Sequence, residues 1–118
     1  QQGETYMYEV AEIKAIVEKA KAAAHTASLK YLNENLKGED TYPCGFAWVT
    51  INGIKGNTKF GMNMKKAGLE QDYTKAWKIW NPGTVNVQNV DVKEAGADAA
   101  AKVFESFGFK AYSNSRLD

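Results

Sequence analysis

A chain of 118 residues, 44% apolar and 25% charged with a mean hydropathy of -0.48, is sized and composed for one globular domain, which excludes collagen-like and disordered classes. A net charge of +1 excludes the broad basic footprint that duplex DNA requires. No run reaches the roughly 18 apolar residues of a membrane span and no secretory signal opens the chain, so the expected setting is the cytoplasm without a membrane partner.

From residue 5 to residue 36, apolar or small side chains recur at Tyr6, Val10, Ile13, Val17, Ala20, Ala24, Ala27 and Tyr31, in steps of four and three. This spacing predicts a long N-terminal helix within residues 1–37. About 30 residues at 1.5 Å each make roughly 45 Å, more than the width of the remaining domain, so the helix is expected to break near His25 and Thr26 or to pack on a second subunit. The alanines at 20, 22, 23, 24 and 27 favour close backbone approach. "GEDTYP" then breaks the helix, and "CGFAWVTI" reads as a strand apolar on both faces.

"NGIKGN" turns the chain into a short helix, capped by Asn57 or Thr58 and stopped by Gly68. "DYTKAWKIW" and "TVNVQNV" read as two strands joined at Pro82 and Gly83. A last helix follows, with Asp91 and Glu94 at capping-box spacing and Gly108 as its stop, and "FKAYSNS" reads as the final strand. The chain is thus expected to form one α+β domain: a ferredoxin-like βαββαβ core over residues 43–118 behind the long helix. Right-handed crossovers give the sheet order 4-1-3-2, with the first two strands parallel.

That topology sorts polar residues onto two rims. One gathers Tyr42, Cys44, residues 71–73, residues 88–91 and the tail 113–118; the other gathers residues 52–57 and 80–84. On the first, the free N–H groups at the start of the last helix are expected near Gln88, Asn89, Lys93, Ser113, Ser115 and Arg116, a candidate pocket for a small anion or carboxylate. Arg116 is the only arginine against fourteen lysines. The competing expectation is a clamp, with Asp91 and Glu94 filling the helix end and Arg116 paired to Asp72, Asp91 or the chain end.

A second candidate surface is the sheet face carrying Phe46, Trp48 and Tyr112, with Lys55 nearby, an arrangement suited to stacking single-stranded nucleic acid. The expected state of that face is covered, by the long helix or by a partner subunit. Residues 53–80 hold six lysines against Glu70 and Asp72, read first as a solvated helix face. "GIKG" has the G-x-x-G form, yet it follows a strand and matches no phosphate-loop spacing. His25 and Cys44, each the only one of its kind, read as structural or surface and as core respectively, and exclude a one-chain Cys/His zinc site. Met62 and Met64 read as core, and Gly96 and Ala100 as close packing of the last helix on the sheet. No catalytic constellation and no cofactor motif is present.

The segments "CGFAWVTI", "KGNTKFG", "WNPG", "QNVDVKEAGADAAAKVF" and "GFKAYSNSRLD", in this order, resemble a family of small uncharacterised proteins of tailed phages. The resemblance implies a phage-encoded protein in a bacterial host cytoplasm and assigns no activity. The expectations rank as follows: a non-catalytic accessory or host-interaction protein, homo-oligomeric through its long helix, binding a host protein or small anionic ligand at the tail-side rim. A single-stranded nucleic-acid module comes next, then an enzyme or sequestering protein for a nucleotide-type ligand.

Overall fold

The computed structural model describes residues 7–118. The helix start expected at residues 5 and 6 lies outside them. Among the described residues the architecture is α+β, a long leading helix followed by two further helices and one four-stranded antiparallel sheet. The helices are α1 (Val10–Asn35), α2 (Lys59–Lys66) and α3 (Val90–Ser106). The strands are β1 (Gly45–Asn52), β2 (Glu70–Gln71), β3 (Trp77–Trp80) and β4 (Lys110–Leu117).

Helix α1 runs unbroken past His25 and Thr26, correcting the expected break. Its 26 residues set the long dimension of a molecule measuring 44 × 25 × 25 Å, so nothing forces a kink. Its seam is used within the chain: Ile13, Ile16, Val17, Ala20, Ala24 and Ser28 are buried against α3 and the sheet-side core. The expected last positions, Ala27 and Tyr31, give way to Ser28, whose hydroxyl donates to the Val92 carbonyl at 2.8 Å. A Cβ on Gly96 would collide with the Ser28 hydroxyl and lie 3.2 Å from the Ala24 carbonyl. Gly96 therefore serves the approach of α3 to α1, not to the sheet.

The sheet order is β2-β3-β1-β4. Strand β1 pairs along its whole length with β4, from Gly45 opposite Leu117 to Asn52 opposite Lys110, and on its other side with β3. Both edges of β1 are thereby taken. The segment "TVNVQNV", expected beside β1, finds that place taken and is no strand: beyond one bridge between Cys44 and Asn89 it joins no ladder. The turn at residues 81–84, with Asn81 and Thr84 at positive φ, takes the chain off the sheet toward α1, where a Cβ on Gly83 would fall 2.7 Å from the Ser28 hydroxyl.

Consequently the "WKIW" strand is antiparallel to β1, not parallel as expected. The rims change with it. Residues 71–73 move to the end of the sheet that holds residues 52–57, since Gln71 pairs with Trp77 and Trp77 with Ile51. Residues 80–84 move toward the start of β1, where Asn81 N–H donates to the Ala47 carbonyl.

All three helices contribute to one core. It is built from Ala47, Val49, Ile51, Trp77, Ile79, Phe109 and Ala111 of the sheet side, with Met64 of α2 and Ala97, Ala100, Ala101 and Phe104 of α3. Trp77 is fully buried, and its indole N–H donates to the Ile54 carbonyl at 2.8 Å. Burial on this scale contributes about 25 cal/mol per Å² of apolar area removed from water. Met64 is core as expected, whereas Met62 is 49% exposed and Cys44 only half-buried. No helix among the described residues is long and apolar enough to cross a membrane.

Candidate functional site

Alternation along β1, β3 and β4 puts every second side chain on the face away from the core. There Phe46, Trp48, Thr50 and Asn52 of β1 stand beside Lys78 and Trp80 of β3, and beside Lys110, Tyr112, Asn114 and Arg116 of β4. No helix of the described chain covers this face, which corrects the expected coverage by the long helix. Phe46 is 38%, Trp80 52% and Tyr112 47% exposed.

The face is organised. Trp48 and Trp80 sit opposite each other in the ladder, ring centroids 4.7 Å apart and planes tilted by 41°. The Lys78 ammonium lies 5.1 Å from the Trp48 ring centre and 5.5 Å from that of Trp80, and forms an ion pair with Asp72 at 2.9 Å. Phe46 carries two cations, Lys93 at 5.3 Å and Arg116 at 5.4 Å. Such contacts contribute about 0.5–1 kcal/mol at exposed positions and hold each cation beside a π-face. Thr50 donates to Asn114 Oδ1 at 2.5 Å and Asn52 to the Tyr112 hydroxyl at 3.0 Å, fixing the polar end. The Asp72 carboxyl is lowered from 3.8 to about 2, first by the Thr74 hydroxyl that donates to it and then by Lys78.

The rim expected to bind an anion is built differently. The Asp40 carboxylate accepts from the N–H groups of Gln88 at 2.7 Å and Asn89 at 2.9 Å. Asn89, 1% exposed, caps α3 by accepting from Val92 N–H at 3.0 Å and donates to the Thr41 carbonyl at 2.8 Å. The cap is thus Asn89, not the expected Asp91 and Glu94 box; Glu94 instead accepts from the Ser115 hydroxyl at 2.6 Å, and Asp98 from Ser113. The anion at this helix end is the chain's own.

Six residues expected together are therefore divided. Ser113 and Ser115 turn toward α3, while Arg116 and the Lys93 ammonium each lie by the Phe46 ring; Lys93 also donates to the Gly45 carbonyl at 2.9 Å. Arg116 takes none of its expected carboxylate partners; among the described residues, the ion pair present joins Lys78 and Asp72. Lys55 lies off the open face, beyond the turn at residues 72–76. Sequence reasoning missed Asp40, Lys78 and Trp80. The alternation in "WKIW" carried the signal for the last two, since Trp77 and Ile79 inward require Lys78 and Trp80 outward.

His25 Nδ1–H donates to the Gly83 carbonyl at 2.8 Å, a structural tie across the turn. Neither a protein-family model, nor a curated protein, nor a solved structure matches this chain.

Proposed function

We propose that the protein is a non-catalytic binding module that takes single-stranded nucleic acid on the open sheet face. One observation carries this reading: an uncovered sheet face presents Phe46, Trp48, Trp80 and Tyr112 with Lys78, Lys93 and Arg116 interleaved among them. Bases have π-faces of the same size as these rings, and each stacked base contributes about 1–3 kcal/mol while the cations meet the backbone. The near-neutral net charge is compatible with a local, stacking-led contact and not with duplex wrapping. A β-α-β-β-α-β path from β1 to β4, with helices on one face only, supports a ferredoxin-like reading of the core.

The filled α3 N-terminus argues against a small anion at the tail-side rim. The seam of α1, already buried within the chain, removes the motive for an oligomer through that helix. A phage accessory role in a bacterial cytoplasm is the setting we assign, and it rests on the wording of residues 43–118 alone.

Tryptophan fluorescence titration with a single strand of about a dozen nucleotides tests the reading at low and moderate salt. Quenching with saturable binding is expected, weakened by Arg116→Ala at unchanged Tm. Absence of binding at both salt concentrations overturns it.

A further inference from the structure

Two basic clefts flank the sheet, and their charge balance differs. One, of about 580 Å³ between α1 and the β2 and β3 strands, carries Lys14, Lys21 and Lys78, but Glu18 and Glu70 share its wall. The other, of about 790 Å³, lies between the loop after β1, α2 and the turn after β2. It carries Lys55, Lys65 and Lys75 with Asn57 and Gln71, and no carboxylate among its lining residues.

The backbones that present these lysines are pinned. The Lys55 carbonyl accepts from the Thr58 hydroxyl at 2.6 Å and from Thr58 N–H at 3.2 Å. A Cβ on Gly61 would collide with that same carbonyl, and one on Gly56 with the Gln71 side chain, so the loop lies against the α2 backbone and the Gln71 side chain of β2. The Lys75 carbonyl accepts from Gln71 Nε2 at 3.0 Å, with Lys75 itself at φ 72°. Lys65 stands on the last turn of α2. Three like charges held around one hollow repel one another, and none has an ion-pair partner among the described residues. A multiply charged anion relieves that repulsion and accepts from all three ammonium groups.

The turn at residues 72–76 is the wall between this cleft and the open face. Asp72, Thr74 and Ala76 line the hollow beside Trp48 and Tyr112, and Gln71 and Lys75 line the cleft. We infer that the cleft is a phosphate subsite, holding the backbone of a bound single strand where it leaves the aromatic face past Asn52 and Thr74. The assignment rests on the nucleic-acid reading above for its ligand, though not for its anion chemistry.

The test compares the wild type with the Lys55→Ala, Lys65→Ala, Lys75→Ala triple variant, titrated with oligothymidylate over a range of salt concentrations. All three side chains are exposed, so Tm should hold. The expected result is retained tryptophan quenching, affinity at low salt lowered by about tenfold or more, and a log–log salt slope shallower by up to about 2. Unchanged affinity and slope in the variant overturn the cleft and leave the aromatic face standing. If the wild type binds no oligonucleotide, the nucleic-acid reading fails, and tripolyphosphate followed by amide NMR decides the cleft separately. Shifts at residues 55–58 and 75 that the triple variant loses uphold an anion site; no shifts there overturn it.

Discussion

Trp77 and Trp80 are three residues apart on one strand and have opposite surroundings. Trp77 is fully enclosed and spends its indole N–H on Ile54, whereas Trp80 is half exposed and meets another tryptophan and a lysine. The helical side of the sheet is filled by three helices, with small residues where they cross. The other side has rings and cations in fixed positions with no chain above them. The difference separates residues that hold the fold from residues available to a ligand, and mutation can test that separation directly.

The largest effect is expected at Trp77→Ala, which removes the largest core side chain and leaves the Ile54 carbonyl without its donor; about 3–5 kcal/mol of stability should be lost in denaturant unfolding. Gly96→Val should cost about 1–3 kcal/mol, because its added methyls meet Ser28 and the Ala24 backbone at the α1 and α3 crossing. Asn89→Ala, which uncaps α3 and leaves the Thr41 carbonyl unpaired, should lower stability by about 1–2 kcal/mol without altering nucleic-acid affinity.

On the open face the balance reverses. Trp48→Ala and Trp80→Ala should each change stability by less than about 1 kcal/mol while weakening single-strand binding by about five- to a hundredfold. A large drop in Tm with intact binding would erase the distinction between the two sides. The smallest effect concerns Asp72. Its carboxyl titrates lower folded than unfolded, so the ionised form stabilises the fold above the ordinary carboxylate range, and that stabilisation fades as pH falls from 3.8 through about 2. Asp72→Asn should flatten the acid limb of a Tm against pH profile in that window and leave neutral-pH binding in place.

Local chemistry made much of the fold legible. The seam at Ile13, Val17, Ala20 and Ala24, the Thr58 cap, the turn centred on Pro82 and Gly83, and the stops at Gly68 and Gly108 all follow from period and backbone preference. The alternation of β1 also placed Phe46 and Trp48 opposite Ala47, Val49 and Ile51. "TVNVQNV" alternates as a strand does, but alternation marks only a segment able to pair, and the place beside β1 expected for it is filled, with β3 on one side and β4 on the other.

The sequence by itself determined the class of each face, because the two-residue and 3.6-residue periods are properties of the backbone that need no partner. It also carried the lysine excess between residues 53 and 80. Only the tertiary structure decided what those groups meet. The helix expected to cover the aromatics lies on α3 instead, through the contact of Ser28 and Ala24 with Gly83 and Gly96. Asp40, 48 residues from Gln88 in the chain, fills the helix end expected to receive an anion. Arg116 reaches Phe46 because β4 pairs with β1 in that register. Such encounters depend on long-range pairing and shape, which no local pattern encodes.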